Sequence, residues 1–123
     1  MKKTLIGICI CALIITGCYR DVEEQLYPGE GGACDTAGVT YSGAVVSLLT
    51  SNGCLSCHSG GAPSGGVLLN SYTSVRAVAL NGKLYGAINH SAGFSPMPKG
   101  GNKMNSCSIN KIKAWIDAGA PNN

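Results

Sequence analysis

Cys54-Leu55-Ser56-Cys57-His58 is the stretch from which the rest of the chain is read. Two thiols three positions apart fall on one side of a helical turn, and the next residue, His58, falls beside them. A C-x-x-C-H run reads as the covalent attachment site of a c-type haem. The thiols of Cys54 and Cys57 reach the two vinyl groups along one porphyrin edge, and the His58 imidazole approaches the iron from the proximal side. Two other chemistries use a Cys-x-x-Cys pair. A zinc site wants a second close ligand pair, and the sequence holds none. A thioredoxin-like site wants a strand before the motif and a βαβ frame around it, and neither pattern is present.

The chain has 123 residues, enough for one domain with terminal extras. Aromatic residues make up 6% and charged residues 12%, with 18 glycines, so bulky side chains for a core are scarce. A buried, covalently held haem would supply apolar mass to such a small domain. The net charge of +3 favours neither nucleic acid nor a strongly anionic surface as partner.

Residues 1–17 read as an export signal and are set aside before the fold is considered. Met1-Lys2-Lys3 is a basic start, and Leu5 to Ile15 is an apolar run shorter than a membrane span. It leads into Ile15-Thr16-Gly17-Cys18, which resembles a bacterial lipobox, with Cys18 lipidated as the new N-terminus. An ordinary secretory signal cut nearby, or a short transmembrane anchor, are the alternatives. Tyr19 after the lipidated cysteine, in place of an acidic residue, leans toward the outer membrane.

The remaining cysteines then sort themselves. Cys9 and Cys11 leave with the signal, Cys18 takes lipid, and Cys54 and Cys57 take haem. Cys34 and Cys107 are left as an even pair in an oxidising compartment. Paired, they would close a loop of 74 residues, which the chain-entropy account values at about 4 kcal/mol. Two free thiols are the alternative.

Residues 18–33 read as a lipidated tether with no core-facing period. Its glycines and Pro28 suit a flexible connector with a typical reach of roughly 20 Å. Between 19 and 35 one arginine stands against five acids; from 36 onward six lysines and arginines stand against Asp117 alone. Solubility explains the division, and so does a cationic face of Lys83, Lys99 and Lys103 that steers an acidic redox partner.

Residues 34–123 read as all-α, with three to four short helices around one haem. Tyr41 to Asn52 is the first helix, capped by Ser42, with Val45, Val46, Leu48 and Leu49 as its apolar stripe and Asn52-Gly53 as its stop. Ser59 to Gly66 is a loop, and Val67, Leu68 and Leu69 line the haem pocket. Ser71 caps a helix to about Leu80, Asn81-Gly82 breaks it, and Leu84 to Ile88 is a short helical turn. Ser106 or Ser108 starts the last helix, in which Ile109, Ile112 and Ile116 recur with Trp115 beside them. Gly119 stops it. The first and last helices are expected to pack together.

The second axial ligand decides what the iron does. Met97, Met104 and His90 are the candidates, and an open iron is the remaining case. Met97 sits in Ser95-Pro96-Met97-Pro98-Lys99, where two prolines pin the backbone and let a loop present a thioether. Met104 lies in a Gly/Asn-rich stretch without bracing, and His90 lies seven positions before Met97.

Taken together, Cys54, Cys57 and His58 after a short helix, then Met97-Pro98, then Trp115-Ile116-Asp117-Ala118-Gly119-Ala120 resemble the class I mono-haem cytochromes c. The likeness is strongest to short bacterial lipoprotein versions and covers about residues 40–123. It implies thioether bonds from Cys54 and Cys57, proximal His58, distal Met97 and one-electron transfer without catalysis. The Cys34/Cys107 pair and the glycine-rich loop after His58 depart from that pattern. The rival reading is a five-coordinate haem sensor or peroxidase-like enzyme using Arg76, Asn89 or His90. No distal acid–base set is recognisable in the sequence to support it.

Overall fold

Asn52 and Gly53 cut what would be one long helix into two. In the computed structural model, which describes residues 33–123, a π-helical turn at Tyr41–Val45 runs directly into α1, Val46–Ser51. Asn52 closes α1 by returning its backbone N–H and its side-chain amide to the Leu48 carbonyl, at 3.1 and 2.8 Å. Gly53 then takes φ +69, a left-handed backbone that glycine adopts without a Cβ penalty. Helix α2, Cys54–His58, starts at once in a new direction. A 3-10 turn at Ser64–Gly66 follows, then α3 at Tyr72–Leu80, α4 at Lys83–Ile88 and α5 at Ser106–Asp117. No strand occurs among the described residues, so the domain is all-α. It has five short α-helices rather than three to four, because Gly53 and Gly82 separate segments that abut in sequence.

Two caps differ from expectation. Thr40, not Ser42, caps the first turn: its hydroxyl accepts from the Gly43 N–H, and its carbonyl receives both Ala44 and Val45. That double acceptance is what widens the turn to π geometry. Asn105, not Ser106 or Ser108, caps α5 by accepting from the Ser108 N–H at 2.8 Å. Ser71 caps α3 in a reciprocal pair with Ser74. The last helix ends in a Schellman motif, with Ala120 N–H on the Trp115 carbonyl and Gly119 N–H on the Ile116 carbonyl.

The core is Val45, Leu49, Leu69, Val75, Ala79, Leu84, Ile88, Met104, Ile109, Ile112, Trp115 and Ala120. Val46, expected in the apolar stripe, is exposed, because the wide first turn rotates it outward. Trp115 is fully buried and donates its indole N–H to the Pro121 carbonyl at 2.9 Å. Tyr41 packs against both Tyr72 and Trp115, with ring centroids 5.1 and 5.7 Å apart. The first turn thus lies on α5, and Asn123 is bonded back to Tyr41 and Ser42. Cys34 and Cys107 stand at disulfide distance, with Cα atoms 5.4 Å apart.

The signal at 1–17, the lipidated Cys18 and the tether up to 32 lie outside the described residues. No helix among the described residues is long and apolar enough to cross a membrane.

Trp115 joins the first turn to the C-terminal tail and is fully buried in the core, so truncating it should be severe. Trp115→Ala should remove about 3–5 kcal/mol, a large part of the about 5–15 kcal/mol typical of a domain. Urea unfolding of the mature protein measures it. A loss below about 1 kcal/mol, the size of an ordinary surface effect, would show that the core does not hinge on this residue.

Candidate functional site

A cleft of about 660 Å³ opens between α2, the segment 64–69, α4 and the loop 93–99. That volume lies within the about 300–1,000 Å³ usual for small-molecule and cofactor sites. The chain brings Cys54, Cys57, His58 and Met97 to its walls. The other walls are mostly apolar, formed by Val67, Leu69, Val78, Leu84, Ile88 and Phe94. Leu68, expected in the lining beside Val67 and Leu69, is not part of it. Ser64 and Gly65 do line the cleft, so the glycine-rich loop supplies one rim as well as a connection.

Cys54, Cys57 and His58 reach one wall because α2 is a single helical turn. Their spacing of three and four residues keeps them on one side of it. His58 is buried, and its Nδ1 lies 3.0 Å from the Val67 carbonyl. A carbonyl only accepts, so Nδ1 carries a proton, and in the neutral imidazole the lone pair is then on Nε2. A ligating histidine is set up in this way, with the second nitrogen tied to a backbone acceptor. The Leu69 N–H returns to the His58 carbonyl at 2.7 Å, so residues 67–69 hold the imidazole and its backbone together.

The Cys54 thiol is not activated as in a redox pair. Burial pushes the Cys54 thiol up, with a smaller opposing effect from a backbone hydrogen bond. Reactive C-x-x-C cysteines depend on the reverse shift. Among the described residues no three His, Cys, Asp or Glu side chains converge as they would around a bare metal ion. Cys54, Cys57 and His58 therefore do not form a closed zinc site within them.

The three candidates for a second ligand separate cleanly. Met97 lines the cleft. Met104 is buried in the hydrophobic core and does not line it. His90 is exposed and outside the lining; its Nε2 lies 2.9 Å from the Met97 carbonyl. The donor set facing the cleft is thus two thiols, one imidazole with a free Nε2, and one thioether, in an apolar surround. Those residues fit a covalently held haem: Cys54 and Cys57 for attachment, and His58 and Met97 for the iron.

Comparison with protein-family models, curated proteins and solved structures returned no match to the chain.

One wall residue was not anticipated. Phe94 lies against Gly86 in α4, where an added Cβ would stand 2.5 Å from the ring. An isolated glycine inside a helical pattern signals such a close approach; the Val67 carbonyl, being backbone, leaves no signal. Gly86→Ala should lower stability, because overpacking costs about 1–3 kcal/mol and exceeds the about 1 kcal/mol gained from helix propensity. Thermal unfolding checks this: a raised melting temperature would mean that the Phe94 ring leaves Gly86 freely.

Proposed function

We propose that this protein is an exported mono-haem c-type cytochrome, anchored by lipid at Cys18, that carries single electrons between partner proteins. The observation that carries the reading is the convergence of Cys54, Cys57, His58 and Met97 on one apolar cleft, with His58 Nδ1 tied to Val67. A bound haem c supplies the reversible one-electron couple; everything else is done by the chain.

Cys54 and Cys57 would hold the group covalently through their thiols. His58 presents Nε2 in a fixed orientation, because the Val67 carbonyl sets both its tautomer and its ring plane. Met97, on the same cleft, would offer its thioether as a second ligand, which would leave no substrate site on the metal. Thioether ligation favours the reduced state and raises the potential relative to two histidines. The apolar walls limit the water that would reorganise when the charge changes.

Lys83 and Lys99 line the cleft, and no acidic side chain among the described residues does. Lys103 is close by, bonded to Asn89 at 3.0 Å. This arrangement supports an acidic redox partner that approaches the cleft mouth. The acidic segment 19–33 serves as tether between lipid and domain, with the outer membrane as the favoured location.

Absorption spectra of the matured protein test the reading, taken oxidised and reduced, with and without carbon monoxide. A c-type reduced spectrum, a weak Met–iron charge-transfer band when oxidised, and no carbon monoxide response are expected. Met97→Ala should abolish the band and admit carbon monoxide. Immediate carbon monoxide binding by the native protein would instead make it a five-coordinate sensor or enzyme. Absence of covalent haem would remove the reading altogether.

A further inference from the structure

We infer that His90 is a positioning residue for Met97: its ring and the Ala87 carbonyl together clamp both backbone polar groups of Met97. The inference rests on the reading of Met97 as an iron ligand. The Met97 N–H donates to the Ala87 carbonyl at 3.0 Å. His90 Nε2 donates to the Met97 carbonyl at 2.9 Å. Ala87 lies in the last turn of α4 and His90 two residues beyond its end, so one short stretch of chain holds Met97 from two sides.

The flanking prolines make this clamp necessary. Pro96 and Pro98 restrict the backbone but carry no N–H. Met97 is therefore the one residue of this tripeptide that can be tied through a backbone donor. Proline alone limits the shape of the loop; it does not attach the loop to α4.

The segment that carries His90 is itself held. Ser91 N–H donates to the Gly86 carbonyl at 2.9 Å, and Asn89 Nδ2 to Ser91 Oγ at 3.2 Å. Lys103 donates to Asn89 Oδ1. His90 has φ +55, a left-handed backbone in which histidine, asparagine and aspartate are enriched. A thioether is a weak neutral ligand, and its residence on iron depends on how little its backbone wanders. His90 thus supports the ligand it was a rival for in sequence.

The test uses the haem-loaded mature protein and three variants: His90→Asn, His90→Gln and Met97→Ala. Asparagine tolerates the left-handed backbone but places its amide where Nδ1 stands, short of Met97. Glutamine places its amide nitrogen where Nε2 stands. Imidazole is titrated into the oxidised protein while the Met–iron charge-transfer band is followed, and melting temperatures are recorded in parallel.

His90→Asn should bind imidazole about three- to tenfold more tightly, as expected for losing one hydrogen bond that holds the competing loop. His90→Gln should stay within about twofold of the native protein, since the bond is restored. Neither pattern should follow the melting temperature. Native-like binding by His90→Asn, or an equal change in His90→Gln, would overturn the positioning role. If His90→Asn is silent while Met97→Ala loses the band, Met97 stands as ligand and only the clamp is lost. If Met97→Ala keeps the band, the ligand assignment itself falls.

Discussion

The hydrogen bond from His58 Nδ1 to the Val67 carbonyl is the constraint on which the site depends. It orients the imidazole, leaves Nε2 free, and requires the chain to turn back on α2 within nine residues. The glycine-rich stretch 60–66 makes that return possible, since Gly60, Gly65 and Gly66 all have positive φ. Once Val67 is in place, Leu69 enters the core and links the cleft to the packing around Trp115. A loop without a visible purpose in sequence is thus the hinge between ligand and core.

The two walls of the cleft are built by different means. On the α2 side, helical spacing and a backbone carbonyl present a histidine. On the other, α4 and the turn after it act as a platform: Gly86 receives the Phe94 ring, and Ala87 and His90 hold Met97. The first wall borrows its order from regular structure, the second from a network of loop-to-helix bonds. Both are fastened to one core, to which α1, α3, α4 and α5 all contribute.

Much of this was legible in the sequence. The all-helical class, the stops at Asn52-Gly53, Asn81-Gly82 and Gly119, and the Ser71 cap follow from local chemistry that needs few partners. Where two neighbouring residues were equally competent, sequence could not choose. Thr40 and Ser42 both cap helices, and the choice fell to Thr40 with the wide first turn. Asn105 was preferred to two serines for the same reason of register. Met97 and Met104 have the same side chain; the flanking prolines favoured Met97 in sequence, and the packing has Met97 on the cleft and Met104 in the core. The role of His90 was hidden because its partner is a backbone carbonyl, which every residue possesses.

The bonds that orient His58 are closed within residues 52–69, and those that hold Met97 within residues 86–97. Trp115 and the C-terminal tail serve neither set directly. Each wall is therefore a local assembly of low sequence separation, the kind of contact that forms early. The wall bearing the two thiols is thus tied together by bonds that span fewer than twenty residues, and it meets the rest of the chain through Leu69 in the core.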